Sequence, residues 1–146
     1  MPAIDGLDDI AVAALLRGTR RVALVGASAR PDRPSHHVMR FLVTHGWNVT
    51  PVNPGLAGQT LLGRTVVGSL ADAGPLDMVD VFRASDAAGA VVDDAVALGA
   101  RVVWLQLGVI DETAAARARA AGLWVVMDRC PAIEAPRLGV AGPGVI

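Results

Sequence analysis

Lysine is absent, and all thirteen basic residues of the 146-residue chain are arginine. That removes Schiff-base chemistry, a lysine general base and the lysine of a Walker A loop, each of which needs a primary amine that can lose or share its proton. Cysteine occurs once, as Cys130, so no intramolecular disulfide is available. No Cys/His cluster stands at metal-ligand spacing, and no metal is expected. Charge of one sign is lacking too: a formal net charge of −1 gives no global pull toward nucleic acid or an anionic membrane, so any anion site must be local. Although 53% of the residues are hydrophobic, Gly, Pro, Asp and Arg interrupt every apolar run well before the ~18 residues a membrane span requires. The start of the chain carries Asp5, Asp8 and Asp9 where a signal peptide would be basic, so a cytoplasmic location is expected.

What remains alternates regularly. Residues 1–20 read as a lead-in with a short helix over Asp8 to Arg17, its acidic residues in the first turn. Arg21 to Val25 is a short, β-branched strand running into Gly26. Pro31 and Pro34 keep the next loop out of helix, and Ser35 is a plausible N-cap for a helix over Val38 to His45, with His45 as a dipole partner at its end. Asn48 to Val52 repeats the strand pattern and ends in an Asn-Pro-Gly turn at residues 53–55. Leu61 to Val67 reads as a short strand or an extended connection. Further strands are expected over Met78 to Phe82, Arg101 to Leu105 and Leu123 to Met127. Helices are expected over Ser85 to Leu98 and Asp111 to Ala121. Trp104 and Trp124 are expected in the core. Asp128-Arg129-Cys130-Pro131 reads as a salt-bridged turn with a buried thiol. From 139 to 146 the Gly- and Pro-containing tail is expected to be loosely ordered.

Strands separated by helices of roughly ten to fifteen residues predict an α/β, Rossmann-like domain over residues 21–138, with a mostly parallel sheet of about five or six strands covered by helices on both faces. Its ligand crevice lies at the carboxyl ends of the strands. Gly26-Ala27-Ser28 sits there, where backbone N–H groups near a helix can cradle a pyrophosphate; a tight turn needing only glycine's freedom reads the same way. Arg30, Arg33, Ser35, His36 and His37 place guanidinium, hydroxyl and imidazole groups nearby. An NAD site normally has Asp or Glu at the end of the second strand to bind ribose hydroxyls, and here that position is Asn53. The glycine fingerprint is incomplete as well, with Arg30-Pro31 where glycine is expected.

Five segments carry a resemblance: Val25-Gly26-Ala27-Ser28 with Pro31-Asp32-Arg33-Pro34-Ser35, then Pro51-Val52-Asn53-Pro54, Asp80-Val81-Phe82-Arg83, Val103-Trp104-Leu105-Gln106 and Val126-Met127-Asp128-Arg129-Cys130-Pro131. In this order they are similar to the small CoA-binding proteins of the stand-alone, YccU-like type, over roughly Arg21 to Glu134. That family in turn resembles the N-terminal CoA-binding domain of the succinyl-CoA synthetase α subunit. The resemblance implies coenzyme A or an acyl-CoA as the ligand. It implies that Gly26, Ala27 and Ser28 hold the pyrophosphate through backbone amides, with Arg33 and Ser35 adding donors. Asn53 and Pro54 would border the adenosine, Phe82 would form an apolar wall, Arg83 would meet a phosphate, and Gln106 would lie along the pantetheine path. The chain departs from the family pattern at His36-His37, which replaces an aromatic-plus-polar pair.

Catalysis is not expected. Ser35 with His36 or His37 are only sequence neighbours, and the phosphorylated histidine of the related synthetases belongs to another domain. The readings left open are a CoA-binding carrier, sensor or accessory protein, a subunit completing an acyl-CoA synthetase or transferase with a separate chain, and an NAD(H)-responsive domain. Homo-oligomerisation and an unidentified protein partner are equally open.

Overall fold

A computed structural model describes residues 3–144. The strands of its main sheet are the short apolar runs of the sequence. In chain order the elements are α1 (Asp9–Gly18), β1 (Arg21–Val25), α2 (Pro34–Thr44), β2 (Asn48–Val52), β3 (Thr60–Leu61), β4 (Arg64–Thr65), β5 (Met78–Val81), α3 (Ser85–Ala97), β6 (Val102–Leu105), α4 (Glu112–Ala120), β7 (Trp124–Val126) and α5 (Pro131–Arg137). Five strands pair in parallel in the order β2-β1-β5-β6-β7. The chain builds outward in one direction from β1 to β2, then restarts at β5 on the other side of β1. This reversal opens a crevice above the carboxyl ends of β1 and β5.

Both faces of the sheet are covered, which is why its strands are apolar without alternation. One core layer, including Leu24, Val38, Met39 and Trp104, lies beneath α1, α2 and α5. The other, including Val79, Val92, Leu105 and Ala115, lies beneath α3 and α4.

Several sequence expectations are corrected. Helix α2 begins at Pro34, not after Ser35: the fixed φ of proline suits the first helical position, so Arg33 is the N-cap and Ser35 sits in the first turn. The ambiguous stretch after residue 60 is a small antiparallel hairpin, β3 to β4, turning through Leu62 and Gly63 at φ 48° and 78°. Val67 then forms a parallel bridge to Val52. Trp124, the first residue of the edge strand β7, is 52% exposed, whereas Trp104 in β6 is fully buried. Residues 139–144 are tied down: Val140 is buried, and the Gly144 N–H donates to the Arg17 carbonyl. Residues 145 and 146 lie outside the described residues.

Helix α5 is absent from the sequence reading, though the turn before it is as expected. Arg129 donates to both Asp5 oxygens, to Glu134 Oε1 at 2.7 Å and to the Leu7 carbonyl. Arg137 joins Glu134 to Asp9. Burial pushes the Asp5 carboxyl up, but the Arg129 guanidinium and the Leu7 and Met127 N–H groups outweigh it, leaving Asp5 below the usual carboxylate range. Glu134 is lowered in the same way, with burial outweighed by Arg137 and Arg129.

No helix among the described residues is long and apolar enough to cross a membrane.

Candidate functional site at the carboxyl ends of the strands

Glycine at position 26 is dictated twice. Its φ of 93° is one that side chains rarely adopt, and a Cβ there would collide with the Phe82 carbonyl at the end of β5. The close approach of the two strand ends forms the floor of a cleft of about 750 Å³. Gly26, Ala27, Ser28, Arg33, Ser35, Asn53, Phe82, Arg83 and Gln106 all line it. Pro54 does not: it borders a smaller adjoining depression that shares Gly26, Asn53 and Arg83.

The hydrogen bonds reassign the amides. The N–H groups of Gly26 and Ala27 both donate to the Val52 carbonyl, at 3.1 and 3.3 Å, and so are already committed to β2. The N–H groups of Ser28 and Ala29 find no acceptor among the described residues and are the free donors of this turn. Asn53 is committed as well. Its Nδ2 donates to the Ala27 carbonyl and its Oδ1 accepts from the Gly55 N–H, both at 2.8 Å, so it anchors the turn by both ends of its amide.

The two histidines diverge. His36 is buried, with Nδ1 2.9 Å from the Ser28 carbonyl and Nε2 3.2 Å from Arg40 Nη2. Because a carbonyl only accepts, Nδ1 carries the proton and Nε2 accepts from arginine. His36 therefore braces the turn from behind, while His37 is exposed and lines the cleft. His45 meets its expectation, with Nδ1 2.8 Å from the Phe41 carbonyl at the end of α2.

Residues 28–37 bring Arg30, Arg33, Ser35 and His37 to the cleft, and β5 adds Arg83. The ends of β6 and α5 bring Leu107, Val109, Cys130, Ala132 and Ile133. Among the described residues no Asp or Glu lines it. Arg83 makes no ion pair with Asp86 and is exposed, and Phe82 is half-buried, serving both core and cleft. Gln106 is buried, and its Oε1 has no hydrogen-bond partner. The wall from α5 is what sequence reasoning missed. Its signals were Pro131 at the first helical position, Glu134 in the first turn and Arg137 in the last, masked by Pro136 inside the helix.

Beneath the cleft, at the centre of the sheet, Asp80 is fully buried, and neither carboxyl oxygen has a partner. Burial pushes its carboxyl well above the usual range, favouring the neutral form.

The chain is similar to several known proteins. YneT, an uncharacterized protein of Bacillus subtilis (strain 168), is 38% identical over 117 residues, covering 80% of this chain and 85% of YneT. The structure of a hypothetical protein from Pyrococcus horikoshii OT3 superposes with a TM-score of 0.89 at 37% identity, covering 94% of this chain and 96% of that one. The dinucleotide-forming acetyl-coenzyme A synthetase 1 of Ca. Korarchaeum cryptofilum shares the fold, at a TM-score of 0.65 and 22% identity over 77% of this chain and 27% of the synthetase. The sequence from residue 20 to residue 136 matches the family described as CoA binding domain, and to that family this chain belongs.

Proposed function

We propose that the protein binds coenzyme A or an acyl-CoA in the cleft above β1 and β5, in a non-catalytic carrier, sensor or accessory role. One observation carries this reading: among the described residues the cleft joins free anion donors and an apolar wall without an Asp or Glu side chain. Coenzyme A has a matching division, with its phosphates at one end and a largely apolar pantetheine arm at the other. The Ser28 and Ala29 N–H groups, the Ser35 hydroxyl and the Arg33 and Arg83 guanidiniums meet the phosphates. The arm runs past Phe82 and Gln106 toward Cys130 and Ile133. Gln106 Oε1, buried without a donor, is a group that an amide N–H of the arm satisfies.

NAD fits less well. Asn53 brings no carboxylate to the ribose, and both ends of its amide are already bonded within the protein. Calorimetric titration with CoA, acetyl-CoA and NAD side by side tests the reading: the two CoA compounds should bind and NAD should bind more weakly. Tighter binding of NAD overturns it.

A further inference from the structure

Cys130 has no second cysteine to pair with, so its thiol is structural filler or it faces a ligand. The loop that carries it is fixed from several sides. Asp128 turns through φ 60° and its Oδ1 accepts from the Gly108 N–H at 2.7 Å. The Arg129 carbonyl accepts from Trp104 Nε1 at 2.8 Å, and the Cys130 carbonyl accepts from the N–H groups of Ile133 and Glu134. The loop is thus held in one place, Cys130 is 7% exposed, and the surface it borders is the cleft. A second, independent feature of that cleft points to a ligand. Gln106 lines it, is 6% exposed, and has a carbonyl oxygen with no donor. A buried amide oxygen without a partner is costly unless something from outside donates to it.

We propose that Cys130 is a thiol–disulfide exchange site for coenzyme A. The proposal rests on the CoA reading above and extends it: the pantetheine arm donates an amide N–H to Gln106 and brings its sulfur to the thiol of Cys130. The oxidising equivalent comes from CoA disulfide. The Cys130 thiolate attacks the sulfur of the bound half, the Cys130–S–S–CoA bond forms as the CoA S–S bond breaks, and the second CoA leaves as a thiolate. The proton lost by Cys130 passes to solvent or to that leaving thiolate, and no electrons are gained or lost overall. The bound state of the protein then follows the ratio of CoA disulfide to CoA and reverses with an excess of free thiol.

The test follows adduct formation by intact mass on the reduced full chain, with CoA disulfide, glutathione disulfide or cystamine at equal concentration and Cys130→Ser as the blank. CoA disulfide is expected to react at least about tenfold faster than glutathione disulfide, because binding places its sulfur beside the thiol. Dithiothreitol removes the adduct, and excess acetyl-CoA, whose sulfur is capped, slows its formation. Gln106→Leu slows the reaction with CoA disulfide and leaves that with cystamine unchanged, which a general loss of folding does not reproduce. Calorimetry with reduced CoA on the wild-type chain runs in parallel. Binding of CoA together with equal rates for the disulfides, or with no adduct, overturns the exchange site and leaves the CoA reading standing. Absence of CoA binding overturns both.

Discussion

At the amino end of the sheet, Asp77 accepts from the backbone N–H groups of Arg20 and Arg21 and from the Arg21 guanidinium, while Arg101 donates to the Gly18 carbonyl. At the carboxyl end, Arg33 and Arg83 find no acceptor side chain among the described residues, and Arg30 reaches only an exposed Asp32 at 3.5 Å. The strands are the same and run in parallel, yet Asp77 and Arg101 close onto the protein while the cleft's Arg33 and Arg83 face open space. Exposed to water, Arg33 and Arg83 lose nothing by this and stay available to an anion. The open end is where the proposed ligand would find its partners.

The sharpest way to break this contrast is at the glycines. Gly26→Val places a β-branched side chain in the left-handed region, costing about 1–2 kcal/mol or more, and drives it into the Phe82 carbonyl. CoA affinity by calorimetry should fall at least about a hundredfold, roughly 2.7 kcal/mol, and the melting temperature should fall with it. Gly46→Ala at the amino end has a similar φ of 98°, but the nearest atom is 3.6 Å from its Cβ. It should lower the melting temperature alone and leave CoA affinity unchanged.

Next in size is the ion network. Asp5→Ala leaves Arg129 without its main partner, and a stability loss of about 3 kcal/mol in denaturant titration is expected. In the unaltered chain Asp5 and Glu134 are both held below their ordinary values. Their contribution is full above the ordinary carboxylate range and is lost as pH falls through the depressed folded values. Stability measured against pH should show this acid loss in the wild type and a smaller one in Asp5→Ala.

Arg33→Ala should weaken CoA about tenfold, roughly 1.4 kcal/mol, and reduce the salt dependence of binding. Arg101→Ala at the closed end should do neither. A last expectation, of stability alone, is at Asp80. Its carboxyl is raised by burial, so its favourable contribution is full below the ordinary carboxylate range and is lost as pH rises through the higher folded value. Asp80→Asn removes that dependence, and the melting temperature above neutral pH should be higher than in the wild type.

The five strands of the main sheet and the four longer helices were legible because each is a local pattern: β-branched runs, three- and four-residue apolar spacing, and glycine where a helix stops. Gly26 was legible for the same reason. Which amides of its turn are free was not, because the competing acceptor is the Val52 carbonyl, 26 residues along the chain from Gly26 and brought close only by β1–β2 pairing. Asn53 was read correctly as the absence of an acid, while its role as an anchor depends on the Ala27 carbonyl across the same pairing. Trp124 misled because an edge strand has the composition of a central one; exposure is set by strand order, which composition does not carry. Helix α5 was hidden by its shortness and its internal proline, and with it went the apolar wall of the cleft.

The matched family segment opens at residue 20, but the carboxylate gripping Arg129 belongs to Asp5. A shortened chain starting at Arg20 would retain all seven strands while unfastening the buckle behind α5. The opening stretch of polypeptide thereby governs how firmly the α5 flank of the cleft stands.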